Sequence, residues 1–191
     1  ERCGFLFPGQ GSAASLTGGA WCDRFPLVRE IYQGAELPAA TSAVATEIAH
    51  PAIITSSLAG LAVLRWLGIE ATVGIGHSLG ELAAYHWSGA FDDAALSRIA
   101  TARGRALAVH GQPGGAMASI AAPQEMVEPL IRGLPVVVAG INSPKQTVVS
   151  GEAAAIERAV ERARAAELGA VHLPVSHAFH SPMVADAAPA L

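Results

Sequence analysis

The stretch Thr72-Val73-Gly74-Ile75-Gly76-His77-Ser78-Leu79-Gly80-Glu81-Leu82-Ala83-Ala84-Tyr85-His86-Trp87-Ser88-Gly89-Ala90 decides how the rest of the chain is read. Its first residues are short and apolar, the composition of a buried strand. Residues 81–88 are mostly good helix formers, and Gly89 stands where a helix usually stops. Between them lies Gly76-His77-Ser78-Leu79-Gly80, a match to G-x-S-x-G. That pattern describes a nucleophile elbow, in which a strand turns sharply into a helix and holds the serine in strained backbone geometry. Gly76 and Gly80 leave room for the strand and the helix to come close. Ser78 then stands at the sheet's edge with the positive end of the helix behind it. The pentapeptide also fits an ordinary strand-to-helix turn; the apolar run before it and the helical run after it supply the context the motif requires.

Composition bounds the possibilities. The 191 residues are 51% apolar and 15% charged, with a net charge of -4. Such a chain has one real core, with room for a small second domain, and is not disordered. No basic run is present, and Lys145 is the only lysine, so nucleic acid is not the expected partner. Cys3 and Cys22 show neither metal nor disulfide spacing, which points to a reducing cytoplasm. Residues 52–69 form the longest apolar run, but Thr55, Ser56, Ser57 and Arg65 interrupt it. It reads as a buried helix, and no membrane span is expected.

Working outward, Phe5-Leu6-Phe7 predicts a short strand running into Pro8-Gly9-Gln10-Gly11-Ser12. A glycine-rich loop after a strand exposes N–H groups and suits an anion, though it also fits a plain turn. No Gly-Lys-Ser/Thr follows, so a P-loop is excluded. Residues 26–32 suggest a helical turn or two with proline at the start, and residues 36–45 a loop. Thr46 is a candidate N-cap for a helix that restarts at Pro51 and runs to residue 67, where Gly68 closes it. Asp92-Asp93 caps a helix over residues 93–109, with an apolar stripe of Leu96, Ile99, Ala100 and Leu107. Arg103 falls on that stripe and Arg105 does not. A guanidinium facing a core needs a partner: an internal salt bridge, a snorkelling path to water, or the carboxylate of a substrate.

After the Gly111–Gly115 turn residues the pattern changes. Strands are expected at 116–121, 135–141, 146–150 and 171–175, with helices at 123–133 and 152–168. Asn142-Ser143-Pro144 joins the middle strands, and Pro174 puts the last strand at an edge. This β-α-β-β-α-β order is the ferredoxin-like unit. His177 and His180 are three apart and could share a helical face as metal ligands, but no third ligand is adjacent. A loop histidine acting as a base toward Ser78 is the better reading.

These motifs together resemble the malonyl-CoA:acyl-carrier-protein transacylase family, and especially the acyltransferase domains of type I modular and iterative polyketide synthases. The resemblance rests on Phe7-Pro8-Gly9-Gln10-Gly11-Ser12, Gly76-His77-Ser78-Leu79-Gly80-Glu81, Arg103-Gly104-Arg105, Gly114-Gly115-Ala116-Met117, Asn142-Ser143-Pro144 and His177-Ala178-Phe179-His180-Ser181, in that order. It implies an α/β fold: a hydrolase-like core with a short parallel sheet and the elbow, residues 1–113 and 175–191, and an inserted ferredoxin-like subdomain, residues 114–174.

The roles it implies are Ser78 as nucleophile, His180 as base, and the N–H groups of Gln10 and Leu79 as oxyanion hole. Arg103 would pair with a malonyl carboxylate, with His50, His77, His177, Phe179 and Asn142 lining the substrate site. Phe179 would leave less room for an α-methyl group, favouring malonyl over methylmalonyl. The implied function is ping-pong transfer of a malonyl extender unit from coenzyme A, through a serine ester, to the phosphopantetheine thiol of an acyl carrier protein in polyketide biosynthesis. No tightly bound cofactor is implied, and no metal; the partners are malonyl-CoA, the carrier protein and flanking synthase domains. His50 stands where the family usually has glutamine, and the chain ends soon after His180, which suggests a piece of a larger domain. Two other functions share the elbow: a serine hydrolase or thioesterase, and a degenerate, non-catalytic scaffold.

Overall fold

In the computed structural model, which describes residues 2–12, 15–37 and 44–191, the strand of the elbow pairs with the N-terminal strand. Gly4–Phe7 (β1) runs parallel to Val73–Gly76 (β2), with Phe5 opposite Gly74 and Phe7 opposite Gly76. Side chains alternate across the pair. Phe5 packs edge-on to Phe7 and Trp87, and Phe7 lies tilted against Trp87, while Leu6, Val73 and Ile75 are more than half exposed. The apolar composition of residues 72–76 thus reads as fully buried, whereas the described residues cover one face only. Parallel strands are normally covered on both.

The described residues group into two compact units, Glu1–Ala108 and Val109–Leu191. In the first, Ala20–Arg24 (α1) and Pro26–Gly34 (α2) precede Thr46–Trp66 (α3); β2 is followed by Gly80–Trp87 (α4) and Asp93–His110 (α5), whose last turn enters the second unit. The core joins Phe7, Ala49, Ile53, Ile54, Leu58, Leu61, Leu79, Ala83, Leu96 and Ala100. By length and composition α3 could cross a membrane, but more than half of it is buried in the protein, as expected for a core helix. Its hydroxyls bond back to carbonyls one turn earlier: Thr55 to Pro51 at 2.8 Å, Ser56 to Ala52 and Ser57 to Ile53 at 2.9 Å.

Three local expectations need correction. The helix α3 does not restart at Pro51 but runs through it. The proline removes one donor early in the helix, and burial of Ile53, Ile54 and Leu58 outweighs it. Thr46 is the first helical residue, with Ala45 at the cap position. Ile99 is 37% exposed; it lies about 60° from Leu96 around the helix, off the buried stripe. The short α1 gave no periodic signal. The loop expected at 36–45 lies largely outside the described residues. Elsewhere the helix ends behave as read. Asp92 Oδ1 accepts the Ala95 N–H at 2.7 Å, and Gly68 (φ 69°) and Gly89 (φ 89°) adopt the left-handed geometry that closes α3 and α4.

The second unit is a four-stranded antiparallel sheet: Gly115–Ile120 (β3), Val136–Ser143 (β4), Gln146–Glu152 (β5) and Ala170–His172 (β6), in the order β4-β5-β3-β6. Gln124–Ile131 (α6) and Ala153–Ala165 (α7) pack against it through Val127, Ile131, Ile156, Ala159 and Val160, facing Ala118, Ile120 and Val149. This is the ferredoxin-like order read from the sequence, with β6 at the edge. Asn142 and Ser143 belong to β4, at a bulge, rather than to the connecting turn. Residues 175–191, which the sequence reading assigned to the first body, group with this unit. Gln112 N–H donates to the Met183 carbonyl at 2.8 Å, and the chain at Ala178 lies against Gly115. A 3-10 helix, Pro182–Ala190, ends the chain, capped by Ser181.

Candidate active site

The elbow is built by close backbone packing. His77 N–H donates to the Phe7 carbonyl at 3.0 Å, one step beyond the β1–β2 ladder. The chain then reverses at Ser78, whose φ is 52°. Gly80 N–H bonds the His77 carbonyl at 2.9 Å and Glu81 N–H bonds the Ser78 carbonyl at 3.0 Å, starting α4. A Cβ on Gly76 would run into the backbone of Gly80 and Glu81. A Cβ on Gly80 would meet the Phe7 backbone, at 2.6 Å from its carbonyl carbon, and the Pro8 oxygen at 2.8 Å. A Cβ on Gly9 would strike the His77 ring nitrogen at 2.7 Å. Three glycines therefore let the loop after β1 lie directly on the elbow. Leu79, the residue after Ser78, is fully buried at the head of α4.

Four described non-glycine residues have positive φ: Glu36, Ser78, Glu167 and His180. Glu36 and Glu167 follow the ends of α2 and α7, where a left-handed residue is ordinary. Ser78 and His180 end no helix. A side chain held in that region costs on the order of 1–3 kcal/mol, and such strain gathers at functional positions.

The first unit also brings together three candidate residues from distant parts of the chain. Gln10, in the loop after β1, places its side-chain amide 2.6 Å from His50 Nε2 and 3.3 Å from Thr46 Oγ1. Arg103 Nη1, from α5, lies 3.1 Å from the same Nε2 and 3.5 Å from Nδ1. His50 is fully buried and Arg103 half-buried. The approach is possible because Gly104 presses α5 onto α3: a Cβ there would meet the Thr46 carbonyl at 3.0 Å and His50 Cβ at 3.3 Å. Burial pushes the His50 imidazole down to about 3; the Arg103 charge acts in the same direction, and a backbone hydrogen bond at Ala100 opposes both. Burial also lowers the Arg103 guanidinium below its ordinary value, while the Glu81 carboxylate works against that. The guanidinium stays charged and the imidazole neutral at pH 7. Sequence reading named Gln10, His50 and Arg103 separately and missed that they form one network. The available signal was Gly104, an unfavourable residue inside a helix and so a sign of close packing.

The remaining candidates belong to the second unit. The His177 and Phe179 rings are 5.9 Å apart at 51°, with Phe179 buried and His177 half-buried. His180 is exposed, and the segment carrying both histidines is irregular rather than helical. Asn142 is exposed on β4.

Comparison with known proteins gives consistent matches. The family model described as acyl transferase domain matches residues 30–191. A phenolphthiocerol synthesis polyketide synthase type I of Mycobacterium tuberculosis, Pks1, named as inactive, is 40% identical over 161 residues, 84% of this chain and 10% of its own length. A crystal structure of the acyltransferase domain of an iterative polyketide synthase in enediyne biosynthesis aligns with 99% of this chain and 44% of its own, at 38% identity and a TM-score of 0.79. The acyl-carrier-protein-S-malonyltransferase of Bartonella henselae aligns with 100% of this chain and 68% of its own, at 32% identity and a TM-score of 0.85. The chain thus spans a tenth or less of the first curated relatives it matches.

Proposed function

The chain belongs to the acyl transferase domain family, and from that membership we propose that it transfers a malonyl group from coenzyme A to the phosphopantetheine thiol of an acyl carrier protein, within a cytoplasmic polyketide synthase. The observation that carries the reading is the left-handed Ser78, locked between Gly76 and Gly80 at the head of α4. A side chain held there is presented by strain, the arrangement that acyl transfer through a serine ester uses.

In this reading Ser78 Oγ attacks the thioester carbonyl, and His180 takes its proton. The tetrahedral oxyanion is met by the N–H groups of Gln10 and Leu79. The C–S bond breaks, and the proton passes from His180 to the departing thiolate. A carrier thiol then gives its proton to His180, attacks the ester, and the serine alkoxide recovers that proton. Arg103 holds the malonyl carboxylate through both steps, and Phe179, His177, His77 and Asn142 shape the acyl site.

The test is an acylation assay on the full chain. After incubation with malonyl-CoA, intact-mass measurement should show one malonyl adduct, absent in Ser78→Ala and discharged by added holo carrier protein. No adduct in the unaltered protein, or an adduct that survives Ser78→Ala, refutes the reading. Rapid release of free malonate regardless of the carrier makes the protein a hydrolase instead.

A further inference from the structure

Resting on the reading of His180 as the base, we propose that Ser181 is a positioning residue: its buried hydroxyl closes the backbone around His180, holds that residue in its left-handed conformation, and so fixes the direction in which the imidazole leaves the chain.

His180 is exposed and has a φ of 59°, where a side chain is strained. Such strain persists only where the surroundings over-determine the backbone. Here they do so on both sides. Ala178 and Phe179 are buried before His180, and Ser181 is buried after it. Ala178 is pressed onto Gly115, where a Cβ would come within 2.7 Å of the Ala178 Cβ and nitrogen. Phe179 N–H bonds the His177 carbonyl at 3.0 Å and tightens the turn that leads into His180. On the far side the Met183 carbonyl accepts the Gln112 N–H at 2.8 Å. The chain is therefore anchored at Ala178 and again at Met183.

The Ser181 hydroxyl ties these anchors together. It donates to the Ala178 carbonyl at 2.7 Å and accepts the Met183 N–H at 3.2 Å. One hydroxyl can do both, since it carries one donor and two lone pairs. The bond to Ala178 spans His180, drawing a carbonyl before the strained residue toward the side chain after it. Without that bond the backbone can relieve its strain by returning to negative φ at His180. Such a change swings the Cα–Cβ bond to another side of the chain and carries the imidazole with it. Buried and committed to two backbone groups, the hydroxyl acts on the reaction through its neighbour alone. Ser181 also borders a cavity of about 390 Å3, with Val137, Ser150, Pro182 and Met183 on its walls. Ser181→Thr thus keeps the hydroxyl and has space beside it for one methyl.

The experiment follows malonylation of Ser78 in the full chain by intact mass, over a range of malonyl-CoA concentrations. It compares Ser181→Ala, Ser181→Cys and Ser181→Thr, each alone and combined with His180→Ala. Ser181→Ala removes the hydroxyl, and Ser181→Cys replaces it with a thiol that is a weak donor and acceptor. In both, kcat for acylation should fall about tenfold to a hundredfold, the range that a misplacement of about 1 Å can cost. KM for malonyl-CoA should stay within about threefold. Ser181→Thr should keep both constants within about threefold. Where His180→Ala has already removed the imidazole, Ser181→Ala should change the slow residual rate by less than about twofold. Circular dichroism and denaturant titration establish that each variant folds.

An unchanged kcat in folded Ser181→Ala or Ser181→Cys overturns the proposal. So does an equal loss in Ser181→Thr. A loss that persists in full without the His180 imidazole is the behaviour of a merely structural residue and overturns it as well. If neither Ser181→Ala nor Ser181→Cys folds, the hydroxyl serves folding rather than positioning and the proposal falls. In each of these outcomes the unaltered chain still loads malonyl, so the functional reading stands. A chain that forms no Ser78 adduct, or one whose loading ignores His180→Ala, refutes the functional reading and the inference with it.

Discussion

The buried neutral state of His50 makes a prediction that needs no substrate. Unfolded, the ring has an ordinary value near 6.5; folded, it lies at about 3. Between pH 7 and pH 5 the unfolded ring therefore takes up most of one proton, while the folded ring takes up almost none. The unfolded state binds more protons, so stability rises with pH through this window and is lost as pH falls from about 6.5 toward 3. From pH 7 to pH 5 the loss owed to this one residue is about 2 kcal/mol, and it hardly depends on the folded value so long as that lies below about 4. The Arg103 guanidinium is the charge acting on this ring, and it persists from pH 7 to pH 5. The assay is urea unfolding of the full chain and of His50→Gln at both pH values. Tryptophan fluorescence reports the relevant unit, because Trp21, Trp66 and Trp87 all lie within Glu1–Ala108. Every other ionisable group is common to both proteins, so the difference between them isolates position 50. The original chain should lose about 2 kcal/mol more than His50→Gln. Equal losses refute the claim that His50 is held neutral beside Arg103.

Other substitutions test the same architecture. Gly80→Ala drives a Cβ into the Phe7 and Pro8 backbone and should destabilise the protein by about 3 kcal/mol or more, read by denaturant titration. Ser78→Gly removes left-handed strain and should stabilise by about 1 kcal/mol while abolishing acylation; Ser78→Ala should abolish acylation without that gain. Arg103→Ala should lower kcat/KM for malonyl-CoA roughly a hundredfold and reduce its preference over acetyl-CoA, the effect of losing a charged hydrogen-bond partner. Asp92→Ala removes the cap on Ala95 N–H and should cost about 1 kcal/mol in the unfolding free energy.

Much of the fold was legible because it is written in local punctuation. Asp92, Gly68 and Gly89 set helix ends through hydrogen bonds that span a few residues, and each lies where the pattern puts it. The alternation of strands and helices after residue 114 carried the ferredoxin-like unit, since each element is periodic enough to stand alone. What failed was whatever depends on neighbours far away in sequence. Pro51 reads as a break because a proline removes one donor; whether the helix tolerates it depends on what Ile53, Ile54 and Leu58 pack against. The apolar strand at 73–76 reads as buried on both faces, yet coverage is a property of other elements, and here it comes from one side.

The candidate site divides along the same line. Gly76, Ser78 and Gly80 were readable because the elbow is a five-residue object whose strain comes from its own backbone. Arg103 was readable as an anomaly, a charge on an apolar stripe, but its answer was not. The partner is forty-odd residues past the first glycine loop and fifty-three before the arginine, and it was itself marked only as a departure from an expected glutamine. Two separate oddities, a histidine and a half-buried arginine, become one ordinary arrangement once Gly104 lets two helices touch. A charge out of place on one helix is then a question about which neutral side chain lies against it, and the glycine beside it marks where to look. On that logic the His50–Arg103 pair should behave as a unit: in a double-mutant cycle on malonyl loading, His50→Ala should add little to Arg103→Ala, and additive losses would show that the two act apart.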